Sequence, residues 1–147
     1  LISGGAVRAD STAQAACLQA GGMVVSFIAE SLLQHVRQPV SEGLLLCSET
    51  GFTLPFSSQR AISRNRLIHA MGLRTFVAQT AAGTGGTFRG TVENLSHGWS
   101  PVFVHADGSE GARQLCLRGA IPVPLHRLQT LRGAYAGQPA LPASYAL

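Results

Sequence analysis

Leu73-Arg74-Thr75-Phe76-Val77-Ala78-Gln79, followed by Thr80-Ala81-Ala82-Gly83-Thr84-Gly85-Gly86 and then by Thr87 to His97, reads as strand, glycine-rich loop and helix in direct succession. The first run is β-branched, aromatic and too short for a helix. The last carries Phe88, Val92 and Leu95 on one helical face, and Gly98 closes it. The three glycines between them let successive backbone N–H groups turn toward one point at a helix N-terminus. The partial positive charge of the helix adds to them there, so an anion, above all phosphate, is the natural occupant. Thr84 and Thr87 can add hydroxyl donors, and Arg89 follows within one turn. No G-K-[ST] follows, and the glycines are out of register for a dinucleotide fingerprint.

The same alternation extends to both sides. Upstream, Leu1-Ile2-Ser3 reads as a strand end and Gly4-Gly5 opens a loop. Asp10 is placed to cap a helix with an apolar stripe at Ala13, Ala16, Cys17 and Ala20, which Gly21-Gly22 stop. Met23 to Ala29 is a second strand without polar alternation, hence buried on both faces, and Gly43 to Cys47 is a third. Between them a weakly helical stretch ends near Pro39. Ser63 reads as the cap of a helix through Leu67, Ile68 and Met71 that ends at Gly72. That places Arg64-Asn65-Arg66 in a first turn, where two cations oppose the helix dipole and imply an anionic partner. Downstream follow strand Pro101 to His105, helix Glu110 to Arg118, strand Ile121 to Val123 and a last helix from Leu125 to Gly133. Fully apolar strands alternating with helices predict an α/β, Rossmann-like parallel sheet with helices on both faces, in one domain over residues 1–133. Residues 134–147 form a Pro/Ala-rich tail. Such sheets bind ligands beyond the carboxyl ends of their strands, where both Gly-rich loops lie.

Composition bounds the chemistry. The chain has 147 residues, 46% hydrophobic and only 12% charged, which excludes a disordered charged tail. No apolar run reaches the length that crosses a bilayer. All 11 basic residues are arginines against 7 acids, a net charge of +4. The planar guanidinium fork suits a phosphorylated partner, although a codon bias toward Arg accounts for the composition equally well. Cys17, Cys47 and Cys116 make no C-x-x-C pair and the five histidines have no ligand spacing. We therefore expect reduced, buried thiols in a cytoplasmic protein, with neither metal nor cofactor. No nucleophile elbow or paired carboxylates occur. Glu93 is the one carboxylate near the second Gly-rich loop, and it is an i,i+4 partner of Arg89.

These segments resemble the DNA-processing protein A (DprA/Smf) family, a Rossmann-like branch of the SLOG superfamily. Its S-G-x-A-x-G-x-D is echoed by Ser3-Gly4-Gly5-Ala6-Val7-Arg8-Ala9-Asp10, and its L-S-E by Cys47-Ser48-Glu49. Its R-N-R stands intact at Arg64-Asn65-Arg66, its S-G-[ST]-L-x-T-A loop is matched by Gly85 to Thr91, and its late G-A by Gly119-Ala120. The order holds from Leu1 to about Val123. The chain departs from the pattern at Arg8 (family Gly), Gln14 (His), Ala61-Ile62 (Phe-Pro) and Gly90 (Thr). The family domain has one more strand and helix before the S-G loop, so that first unit is expected to be missing.

The resemblance implies single-stranded DNA binding without catalysis and presentation of that DNA to a RecA-type recombinase in transformation or recombination, by a protein able to form homodimers. The expected phosphate-binding residues are Gly4, Gly5, Arg8, Arg64, Asn65, Arg66, Gly83, Thr84, Gly85, Gly86, Thr87 and Arg89. Two other readings share the superfamily. One is a lonely-guy type phosphoribohydrolase, whose motif Glu falls on Gly90 here, with Glu93 one turn later. The other is a non-catalytic nucleotide sensor using the same pocket.

Overall fold

The computed structural model describes residues 1–36 and 39–127. The end of the predicted last helix and the Pro/Ala-rich tail lie outside the described residues. The chain is of α/β class, and it divides into two compact units, Leu1–Gly72 and the part from Leu73 onward.

The first unit runs β1 (Ile2–Ser3), α1 (Ala9–Gln19), β2 (Val24–Phe27), a 3-10 turn (Leu32–Gln34), β3 (Leu44–Cys47) and α2 (Ser58–Met71). Its sheet is parallel in the order β1-β2-β3, with Ile2 opposite Val25 and Val24 opposite Leu44. As the apolar run predicts, the central strand is the buried one: Val24, Ser26 and Phe27 are sealed, and so are Ile28 and Ala29 just beyond it. The stripe read on α1 does not become core, because no residue of α1 is buried. Alanine stems bury little area, and α1 attaches instead through Gln14. Its amide donates to the hydroxyls of Ser3 (2.7 Å), the last residue of β1, and Ser26 (2.9 Å), within β2. Cys17, Cys47 and Cys116 are free and half-buried rather than sealed.

Helix α2 starts six residues earlier than its sequence implies. Ser57 is the cap, accepting from the Arg60 amide at 3.1 Å, while Ser63 donates to Glu49 Oε1 at 2.8 Å. Arg64-Asn65-Arg66 therefore lies in mid-helix, and the argument from charges opposing the dipole in a first turn does not apply to it.

The second unit runs β4 (Thr75–Val77), α3 (Gly85–His97), β5 (Val102–His105), α4 (Glu110–Leu117), β6 (Ile121–Val123) and a 3-10 turn (Leu125–Arg127). Its parallel sheet has the order β4-β5-β6. Val102, Phe103 and Val104 of the central strand are almost completely buried. Val77, Phe88, Val102, Val104, Ala112, Leu115 and Ala120 form one core, against which Val92 and Leu95 pack, so the apolar face read on α3 is the one that faces inward. Each such Phe, Leu or Val contributes about 1.5–3 kcal/mol of burial. A polar staple joins α3 to the strands. Asn94, fully buried, donates to Ser100 O (3.0 Å) and Oγ (3.2 Å) and accepts from Ser100 N (2.9 Å), and Ser100 Oγ pairs with Thr75 Oγ1 at 2.8 Å.

Candidate nucleic-acid interface

In the first unit the strand ends are tied together by arginines. Arg64 is 8% exposed, and its Nη1 donates to the carbonyls of Gly4, just past β1, and of Phe27, the last residue of β2. Burial pulls the guanidinium below its ordinary pKa, opposed by the charges of Asp10, Glu30 and Glu49. Gly4 accommodates this, since a Cβ there would collide with the Arg64 guanidinium. The Gly4 amide is committed as well. Asp10 does not act as the N-cap of α1; it lies in the first turn, and its Oδ2 accepts from the amides of Gly4 (3.1 Å) and Ala6 (3.2 Å). A carboxylate of the chain itself thus occupies the concavity that the sequence reading assigns to phosphate. Gly4 and Arg64, expected as direct phosphate contacts, are part of the internal frame of this loop. The reason is that buried backbone carbonyls and amides must find partners within the protein.

Arg60, which the sequence reading passed over, does similar work one turn earlier. Its Nε donates to Ala29 O (3.0 Å), Nη1 to Thr50 O (3.2 Å) and Nη2 to Ser48 Oγ (3.2 Å). The signal was present: residues 60 and 64 are four apart and share a helix face. Arg66 lies two residues beyond Arg64, off that face, and is exposed, while Asn65 is half-buried.

Gly5 and Arg8 are exposed on the β1–α1 loop. Gly5 takes φ +65°, and a Cβ on it would crowd Ser26 Oγ at 2.9 Å. Arg8 is the non-glycine residue with positive φ among the described residues, at φ 82° and ψ −109°. The glycine expected here from the family pattern is thereby explained: the backbone wants a residue without a Cβ. Arg8 occupies the place in spite of strain and projects a cation from an exposed turn.

In the second unit the glycine-rich loop reaches α3 as its sequence predicts, with the helix beginning at Gly85. Gly83 (φ 67°) and Gly85 (φ 82°) are both left-handed, and a Cβ on either would meet nothing within 4 Å, so dihedral angle rather than space demands glycine. The N-cap Thr84 makes no side-chain bond to the first turn, in contrast to Ser57 on α2 and Ser109 on α4. The start of the loop is fixed from behind, because a Cβ on the buried Gly111 would strike the Thr80 carbonyl. Thr84, Gly85, Thr87 and Arg89 are exposed and Gly86 is half-buried. This is an exposed helix start with alternating left-handed glycines and without a side-chain cap, the geometry that suits an oxyanion. The position of the hydrolase motif's Glu is the buried Gly90, and Glu93 lines an open groove that Gly83 and Arg89 also border. The two halves of the expected site thus fall in different units, the Gly4, Gly5, Arg8 and Arg64–Arg66 group in the first and Gly83–Thr87 with Arg89 in the second.

Comparison with known proteins adds the following. A family model for "DNA recombination-mediator protein A" matches residues 1–130. Among solved structures, the X-ray structure of DNA processing protein A (DprA) from Streptococcus pneumoniae superposes with a TM-score of 0.72 at 24% sequence identity. The match covers 95% of this chain and 51% of that one, so this chain spans about half the length of that relative. No curated protein sequence matches the chain significantly.

Proposed function

Since the chain belongs to the DNA recombination-mediator protein A family, we propose that it binds single-stranded DNA through its phosphates, without reading base sequence or catalysing a reaction, and presents it to a RecA-type recombinase in DNA uptake or recombination. The observation that carries this reading is the start of α3: two left-handed glycines, an N-cap threonine whose hydroxyl is not spent on the helix, and Arg89 within the next turn. Backbone amides and arginine forks grip phosphate oxygens and ignore bases. On this reading the direct contacts are the Gly83–Thr87 backbone with Arg89 in one unit, and Arg8 and Arg66 in the other. Gly4, Gly5, Arg64 and Asn65 shape the loop and helix that carry them. Homodimer formation and a cytoplasmic location accompany the family reading. Among the described residues no helix is long and apolar enough to cross a membrane.

The test is fluorescence anisotropy with a labelled oligo(dT) and a mixed-sequence oligonucleotide of equal length across a salt series. Each arginine contact adds about −0.7 to the slope of log K against log salt for a single strand, equally for the two sequences. Gly85→Ala, which forces a side chain into a left-handed position, is expected to weaken both equally. A flat salt response, or tight binding of a nucleoside monophosphate with no gain from a longer strand, would refute the proposal and favour a nucleotide sensor.

A further inference from the structure

We propose that the groove running along α3 is a track for the sugar-phosphate backbone of a single strand, with Arg118, contributed by the turn after α4 and seated over Phe88 of the first turn of α3, as a second phosphate-holding group. This rests on the nucleic-acid reading above and deepens it. The groove encloses about 390 Å3, within the range of small-ligand sites, but its shape follows a helix. It extends from Gly83 at the glycine loop to Ser96 near the end of α3. From Gly85 to Ser96 the helix rises about 16 Å, whereas a stacked strand advances about 3.4 Å per nucleotide. A mononucleotide held at the loop leaves most of that length empty, and a strand of about five nucleotides fills it.

Its chemistry is that of a polyanion track. Arg89 lies at the loop end, and Arg118 enters from the turn after α4. Arg118 is exposed yet held in place: Nη1 donates to Gln114 O at 2.8 Å, and the guanidinium lies 5.7 Å from the centre of the buried Phe88 ring. That cation–π seat orients the group before any ligand arrives and leaves most of its five donors for one. Phe88 and Val92 give the groove an apolar floor that suits sugar faces. Glu93 is the opposing charge on the same wall, so the track is tuned below its full attraction.

The experiment uses the full chain and anisotropy or calorimetric titration with dT2, dT4, dT8 and dT12 at two salt concentrations. Affinity is expected to climb steeply up to about five nucleotides as the track fills. Arg118→Ala should weaken dT8 about tenfold and lower its salt slope by about 0.7, while Arg118→Lys keeps part of the affinity. Glu93→Gln should tighten dT8 several-fold. If dT8 binds the parent protein and neither Arg118→Ala nor Glu93→Gln alters it, the track is wrong while DNA binding stands. If no oligonucleotide binds the parent protein, the nucleic-acid reading itself falls. If a poly-Glu peptide binds as tightly as dT8 and loses as much in Arg118→Ala, the groove takes an acidic peptide and the proposal is overturned. Should Arg118→Ala not fold, Arg118→Lys and Glu93→Gln decide the matter, since both preserve volume.

Discussion

Replacing Arg8 with glycine is expected to stabilise the protein while weakening the DNA binding proposed for it. At φ 82° and ψ −109° the Arg8 backbone lies where a Cβ is crowded, a strain of about 1–3 kcal/mol. Glycine relieves it but adds freedom to the unfolded chain, which costs about 0.5–1 kcal/mol. The main-chain bonds of this residue survive the change, because its carbonyl still accepts from the Thr12 amide (2.9 Å) and the Ser11 hydroxyl (3.0 Å). The net gain is roughly 1 kcal/mol, or about 4 °C in melting temperature for a chain of this size. The exposed guanidinium meanwhile makes one of the proposed phosphate contacts. Its loss should reduce oligo(dT) affinity roughly two- to fivefold and lower the salt slope by about 0.7. Thermal melting by circular dichroism and salt-series anisotropy on the same preparations read both effects. A variant that melts lower than the parent protein would refute the strain argument. One that melts higher with an unchanged salt slope would remove Arg8 from the contacts and leave the strain argument standing.

Arg64→Met should cost about 3 kcal/mol, because the carbonyls of Gly4 and Phe27 lose their donor and Asp10, Glu30 and Glu49 lose the charge that they surround; urea unfolding measures this, and a loss below 1 kcal/mol would contradict the framing role. Asn94→Ala should cost a comparable amount, about 3 kcal/mol, by deleting three buried hydrogen bonds and stranding the Ser100 amide; its check is the urea midpoint. Glu110, paired with Arg113 at 2.7 Å and accepting from Gln114, is held down to a pKa of about 2. Because this pKa is depressed on folding, its stabilising effect is complete above the ordinary carboxylate range and fades as pH falls from about 4.5 toward 2. A carboxyl NMR titration should place its midpoint near 2, and a midpoint near 4.5 would mean that the pair does not hold in solution.

The strands and both glycine loops were legible because short apolar runs bounded by glycine admit few alternatives, and Val24, Ser26 and Phe27 of β2 and Val102, Phe103 and Val104 of β5 are buried while Val25 and His105 are half-buried. The misreadings share a cause: local signals that two residues can supply. Ser63 and Ser57 both look like caps, and only the hydroxyl–Glu49 bond made by Ser63 shows which one is free to cap. Asp10 has cap chemistry but spends it on loop amides. The alanine stripe of α1 has helical spacing without the bulk to build a core. Around R-N-R, spacing was the better guide than residue type, since Arg60 and Arg64 share a face turned to the strand ends while Arg66 does not. Arg118 gave no periodic signal at all, being a lone residue between a helix and Gly119, and only the ring of Phe88 beneath it shows that its position is set.

The Asp10 carboxylate seated on the amides of Gly4 and Ala6 gives the first unit a self-neutralised cradle. An incoming oxyanion would have to evict a tethered tenant that is always at hand, so that loop discourages deep capture and leaves side chains such as Arg8 to touch a strand from outside. A ligand held at its periphery by replaceable charges, with no backbone closing around it, is quickly surrendered, and that suits the proposed role of passing a bound strand to another protein.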